Sequence, residues 1–249
     1  MSRLPVVRAV GCLCASLFVF TAEAAEIKVL STPAASTALR DIGPQFERST
    51  GHKLLLDFAN IAASKQKIMG GEPFDVAIVS PKAIDELLQE GKIAKGTRLD
   101  IGRTGLGVVV RKGAPRPDLG STDALKRALL GAGAVAYSAT GESGIGFLAV
   151  LDRLGIAGDM KPKIKPSSDL TGAVERGEVD FAITGIGAAL ANTKVEYVGA
   201  LPAAIQQYVN MSAGVSASSS EPDAAKALLK YLGDPAVVQL MKSKGVEPY

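Results

Sequence analysis

The stretch IKVLSTPAASTALRDIGPQFERSTGHK (27–53) sets the architecture. Its first four residues, Ile27-Lys28-Val29-Leu30, make an apolar run of strand length. They pass directly into Ser31-Thr32-Pro33, where a hydroxyl can cap free amides and proline can take the first helical position. Leu39, Ile42 and Phe46 then recur at three and four residues, the spacing of one helix face, until Thr50-Gly51 stops the helix. The same order follows twice more. A strand over 53–58 leads into a polar turn and a helix over 60–69, and a strand over 74–79 leads into Ser80-Pro81 and a helix over 83–90. Repetition of strand, capped turn and helix predicts a parallel sheet flanked by helices, an α/β fold.

The rhythm breaks at 104–111, where Gly105 and Gly107 precede the β-branched run Val108-Val109-Val110 and Gly113-Ala114-Pro115 ends the strand. It then resumes with a helix over 124–130, a strand over 134–137 and the turn SATGESG (138–144). Phe147, Leu151 and Leu154 mark the next helix; a short helix near 170–176 and a strand over 180–183 follow. A second long extended segment, 206–215, precedes two closing helices over 222–232 and 235–244. Two α/β units joined by two well-separated crossovers predict two lobes rather than one continuous doubly wound sheet. The first lobe is discontinuous, 25–104 with 212–249. The second is 105–211, with the hinge strands at its edge.

The chain opens on an export signal, read over 1–24. Arg3 and Arg8 precede an apolar run from Ala9 to Phe20, and Ala22-Glu23-Ala24 offers the small-x-small site at which a leader is cut. The run is shorter than the ~20 residues needed to span a bilayer. Cys12 and Cys14, the two cysteines, both lie inside it, so the exported protein has no thiol for a disulfide, a metal or a nucleophile. The formal charge of +3 is spread along the chain without a basic tract, which gives no footing for nucleic acid. The spacing of histidine and acidic residues fits neither a metal site nor a phosphate loop, and no cofactor is expected.

Four stretches carry a resemblance: VLSTPAASTALRDIGPQFERSTGHK (29–53), GEPFDVAIVSPKAIDELLQEGKI (71–93), ESGIGFLAVLDRLGI (142–156) and AAKALLKYLGDPAVVQLMKSKGVEP (224–248). With them the chain resembles the periplasmic molybdate-binding protein family, type II solute-binding proteins of ABC importers. The resemblance implies a two-lobed fold with a two-stranded hinge, a small anion held in the interlobe cleft, a permease partner in the inner membrane, a periplasmic location and a monomer. The sheet pattern agrees, since ligands of open α/β sheets sit beyond the carboxyl ends of the strands. There stand Ser31, Thr32, Asn60, Ser80, Ser138, Thr140, Ser143 and Thr184, each beside a helix start whose amides face the cleft. These eight are the candidate ligand residues. Matching the turns places the family's molybdate-binding serines at Ala34 and Ile61 and its tyrosine at Thr184, so the expected ligand has a more organic body than a bare oxyanion.

The same group includes aconitate isomerase, which implies a second function: proton transfer on a bound polycarboxylate, without metal or cofactor. Glu142 and Tyr137 are the candidate bases for it. Lys65 and Arg103 are cations near the predicted cleft edges, and His52, the one histidine, reads as a solvated loop residue. N-terminal sequencing of periplasmic extract is expected to find a chain starting near Ala25; a start at Met1 or a lipid on Cys12 would show the export signal to be misread.

Overall fold

The computed structural model describes residues 24–249, so the leader read over 1–24 lies outside the described residues except for Ala24. The first unit forms as its apolar spacing dictates: β1 (Glu26–Ser31), α1 (Ser36–Thr50), β2 (Lys53–Phe58), α2 (Ile61–Met69), β3 (Val76–Val79) and α3 (Pro81–Gln89). A single 3-10 turn, Pro33–Ala35, stands between β1 and α1, and the Thr32 hydroxyl does not cap it. Gly51 ends α1 at φ 80, a left-handed conformation that a side chain would resist. The long strand β4 (Leu99–Arg111) then leads into the second unit, α4 (Thr122–Gly131), β5 (Val135–Tyr137), α5 (Glu142–Arg153), α6 (Ala157–Met160), β6 (Ile164–Pro166), α7 (Leu170–Glu175), β7 (Phe181–Gly185), α8 (Ile186–Ala191) and β8 (Val195–Ala200). The chain returns through β9 (Tyr208–Val215) to α9 (Pro222–Leu232) and α10 (Pro235–Ser243).

Each half holds a parallel trio, β2-β1-β3 in the first, as read from the sequence, and β6-β5-β7 in the second, where β6 was not foreseen. The crossover strands are antiparallel to their neighbours: β9 joins β3 to β4, and β4 also pairs with β7 and β8. Hydrogen bonding is therefore continuous across the molecule, yet the cores are separate. In the first half α1, α9 and α10 cover one sheet face around Ile27, Phe46 and Leu228, while α2 and α3 cover the other around Ile68 and Ile84. In the second half α4 and α5 bury Leu125 and Phe147, with Ala173 and Ala189 from α7 and α8 on the opposite face. Removing a fully buried ring such as Phe46 or Phe147 would cost about 3–5 kcal/mol.

The halves meet on β4. Leu99 to Gly105 pair with β9, and Leu106 to Val110 pair with β7. On the edge shared by β9 and β8 the Gln206 side chain bridges the change: its Oε1 accepts from Leu106 N–H at 2.8 Å and its Nε2 donates to Leu106 C=O at 3.0 Å. On the other edge the C-terminal segment pairs with Arg103, which exchanges two 2.7 Å backbone bonds with Glu247. Arg103 stacks on Tyr208 of β9, 3.8 Å from ring centroid, with Glu247 3.5 Å from its Nε. Arg103, read from the sequence as a cation near a cleft edge, is thus engaged by Tyr208 and Glu247 in a clamp at the crossover. His52 is likewise not a simple solvated residue: it is half-buried, and Nδ1 accepts the N–H of Ala25 at 3.1 Å at the start of β1.

Gly102 is where the clamp is tightest. Its φ is +144, and a Cβ there would sit 2.3 Å from the Glu247 carbonyl oxygen. Gly102→Ala is expected to destabilise the protein by about 1–3 kcal/mol or more through clash and strain. Gly131→Ala, at the open end of α4 where a Cβ meets nothing within 4 Å, should be neutral or slightly stabilising. Urea unfolding of the two variants measures the contrast.

Candidate functional site

The sequence-predicted hydroxyl and amide residues do stand at the carboxyl ends of strands, but two are occupied as helix caps and a third closes a turn. Asn60 Oδ1 accepts from Ala63 N–H at 2.9 Å and opens α2; Ser80 Oγ accepts from Ala83 N–H at 3.4 Å and opens α3. Ser138 Oγ accepts from Gly141 N–H at 3.0 Å, closing the turn before α5. Ser31 is fully buried, its hydroxyl donating to Thr32 C=O at 3.1 Å. Thr140 is exposed and Ser143 half-buried in the first turn of α5. Thr32 differs from these. Its hydroxyl is buried without a hydrogen-bond partner among the described residues, as is that of Thr104 on β4. Each such hydroxyl costs about 1–3 kcal/mol until something meets it. Thr104, on the crossover strand, was not among the residues expected at the site.

Two turns come together across the halves. A Cβ on Gly187 would lie 3.8 Å from the Ala34 carbonyl oxygen and 3.2 Å from that of Lys244, so α8 approaches both segments closely there. The Ala34 turn of the first half thus faces the Thr184-Gly185 turn of the second. Ile186, the next residue, packs where Cβ atoms on Gly105, Gly107 and Gly245 would stand, and so fixes the Thr184 turn against both β4 and the C-terminal segment.

Beside this contact lies a cavity of about 1200 Å3. Ser36, Thr37, Arg40 and Asp41 of α1 line it from the first half; the 168–172 turn, Thr184 and the far end of α8 line it from the second. Of the eight sequence-predicted ligand residues, Thr184 lines it and the other seven do not. Ser36, Thr37 and Arg40 were missed, although the pattern held the signal: they lie on the polar side of the helix whose Leu39, Ile42 and Phe46 face the core. Leu170 and Thr171 were read as a helix start and not as a cavity wall. Lys65, expected at the cleft edge, is paired with Glu86 and does not line the cavity. Among the described residues no group of histidine, cysteine and acidic side chains could hold a metal ion.

Of the two candidate bases, Tyr137 packs its ring against Phe147, with centroids 6.1 Å apart, and is part of the core. Glu142 is half-buried at the first residue of α5, and burial pushes its carboxyl above the ordinary glutamate value. The positive end of α5 opposes that shift in part. No basic side chain is within ion-pair distance of Glu142 among the described residues, in contrast to Glu47, which Leu54 N–H and Lys53 hold low.

Residues 27–247 match the family model described as bacterial extracellular solute-binding protein. The chain is 30% identical to aconitate isomerase of a Pseudomonas species over 99% of this chain and 97% of that relative. It is 25% identical to the molybdate-binding protein ModA of Azotobacter vinelandii, with 96% of each chain covered. The solved periplasmic molybdate-binding protein of Azotobacter vinelandii superposes with a TM-score of 0.76 at 19% identity, covering 88% of this chain and 98% of that one. The architecture is the two-lobed type II periplasmic-binding fold, with β4 and β9 as its crossover strands.

A carboxyl raised by burial binds its proton more tightly in the folded than in the unfolded chain. Its share of stability is present below the ordinary glutamate pKa and is lost as pH rises through the folded-state value. Glu142→Gln, which stays neutral, is therefore expected to be more stable than the wild type at pH 7. The difference should vanish below pH ~4. Thermal melts of both proteins across that range test this; a wild type less stable than the variant at every pH would assign the effect to packing instead.

Proposed function

The chain belongs to the bacterial extracellular solute-binding protein family, and on that premise we propose that it is the periplasmic binding component of an ABC-type importer, closing two lobes on a small organic anion. The observation that carries this reading is the cavity between α1 of one half and α7 and α8 of the other, about 1200 Å3 in volume. Clefts that hold whole organic ligands run to about 300–1,000 Å3, so this larger, open space has room for one, whereas a tetrahedral oxyanion requires a tight ring of donors. Ala34 and Ile61 present hydrocarbon at the positions where the resemblance expects serine hydroxyls, which also favours a ligand with a carbon body. In this reading the lobes are 25–104 with 212–249, and 105–211. The exported protein acts as a monomer, carrying its ligand to a permease in the inner membrane.

The anchors of the proposal are the Ser36 and Thr37 hydroxyls and Arg40 on one lobe, with Thr184 and the 168–172 turn on the other. Neither lobe alone replaces the water shell of an anion. Donors from both sides can do so once closure excludes solvent and the local dielectric falls.

A second reading has its own supporting observation. Glu142 carries a half-buried, unpaired carboxyl raised by burial, the property expected of a general base near neutral pH. The relative named aconitate isomerase matches nearly the whole chain. This reading places the polycarboxylate at the start of α5 and not in the cavity, which Glu142 does not line; there Glu142 takes a proton from one carbon of the ligand and returns it to another as the double bond shifts. No cofactor is called for.

Calorimetric titration with trans-aconitate, fumarate and molybdate distinguishes the ligand classes. A carboxylate is expected to bind and molybdate to bind weakly; ligand at a hundred times its dissociation constant should stabilise the fold by ~2.7 kcal/mol. Submicromolar molybdate affinity with no carboxylate bound would overturn the organic-anion reading. Ultraviolet absorbance of trans-aconitate should stay constant with a pure binding protein. Turnover that disappears in Glu142→Gln would decide for the isomerase.

A further inference from the structure

We infer that Arg40 selects for a second carboxylate, so that the cleft takes di- and tricarboxylates in preference to monocarboxylates. The inference rests on the organic-anion reading above and adds to it a recognition element on the first lobe.

Four basic side chains line the cavity: Arg40, Arg176, Lys194 and Lys244. Three are already neutralised by carboxylates on the same walls. Lys244 Nζ is 2.8 Å from Asp41, Arg176 Nη1 is 3.2 Å from Asp169, and Lys194 Nζ is 3.5 Å from Glu175. Arg40 has no carboxylate within 4.0 Å among the described residues. The wall therefore carries one uncompensated positive charge, and it sits at this position.

The guanidinium also has a neighbour that holds it without neutralising it. Its central carbon lies 4.9 Å from the centroid of the Phe58 ring, at the end of β2. Such a cation–π contact leaves the charge in place, and a guanidinium can meet a carboxylate in two bonds. Arg40 follows Ser36 by four residues on α1, so the two project from one face and both line the cavity. Across the space stand Thr184 and the 168–172 turn, which offer hydroxyl and amide donors but no free cation. A monocarboxylate can be met by only one of these two kinds of donor at a time. An anion with carboxylates at both ends can be met by both, and each end then adds its own charge-assisted bonds.

The test titrates wild type, Arg40→Gln and Arg40→Lys by calorimetry with crotonate, fumarate and trans-aconitate, which share an alkene body and carry one, two and three carboxylates. Arg40→Gln is expected to raise the dissociation constants of fumarate and trans-aconitate at least about tenfold. Crotonate should bind weakly and alike in both proteins. Arg40→Lys should recover only part of the loss, because lysine restores the charge but not the fork. Phe58→Leu, which removes the platform and leaves the arginine, should give a smaller loss on the two larger acids. Melting of ligand-free Arg40→Gln should match wild type, as for an exposed substitution. A variant that binds fumarate and trans-aconitate like wild type, or loses crotonate in equal proportion, would overturn the role of Arg40 alone. A wild type that binds none of the three acids would overturn the organic-anion reading together with it.

Discussion

One strand holds both halves of this molecule. β4 spends its first seven residues beside β9 and the next five beside β7, so the sheet passes from one core to the other at the main chain near Gly105 and Leu106. A thirteen-residue strand cannot belong to a single small sheet without leaving one end unpaired, and unpaired backbone is costly when buried. Two sheets sharing the strand satisfy it along its length. The parallel trios, the helices that cover them and the return of the C-terminal helices to the first half all follow from where this strand changes partners. The C-terminal segment adds a second fastening, because Glu247 pairs with Arg103 just before the change.

The candidate site combines two demands on short turns between strand and helix. Such turns must cap a helix, and in a cleft they must also leave donors for a ligand. Asn60 and Ser80 are committed to the first task through bonds to Ala63 and Ala83, and Ser138 closes the turn before α5 through Gly141. Thr32 is not committed, and a 3-10 turn follows it in place of a capped α-helix. Pro33 at the start of that turn has no N–H to offer, and the Thr32 hydroxyl makes no capping bond to the turn. A failed cap and a free donor are here the same structural fact.

Much of the fold was legible because its signals are local. Apolar periodicity, Ser-Pro and Thr-Pro starts and glycine stops located most helices and the parallel strands except β6, missing the short α6 and the extent of α8, and the glycine-edged run at 104–111 marked the crossover. β8 was not legible. Val195–Ala200 alternates weakly, its Glu196 and Tyr197 are half-buried, and it is held by pairing with β4 instead of by its own apolar face. The clamp at Arg103 was equally hidden, since it joins residues 144 positions apart, 103 and 247, and local spacing carries no trace of such a contact. The site was half legible for a related reason. Turn residues announce themselves by type, but the cavity wall on α1 comes from which side of the helix is left over after the core face is chosen. Ser36, Thr37 and Arg40 were visible as polar helix positions, and only the packing of α7 and α8 opposite them makes them a wall.

The splice at Leu106 has a mechanical consequence. Its N–H is met by the Gln206 side chain at 2.8 Å and by the Gln207 carbonyl at 3.2 Å; its C=O is met by Gln206 at 3.0 Å and by Leu201 N–H at 3.0 Å. Each backbone dipole thus has one partner fixed in the chain and one carried on rotatable bonds. An ordinary ladder is indifferent to side-chain identity and brittle in bending, because tilting two strands apart strips a peptide group bare. Here a glutamine takes the place of the missing strand residue, and it can follow the tilt by turning about its own torsions. The joint has redundancy built in at the one point where the sheet changes hands, so reorientation of the halves need not expose an unmet polar group in the middle of the molecule.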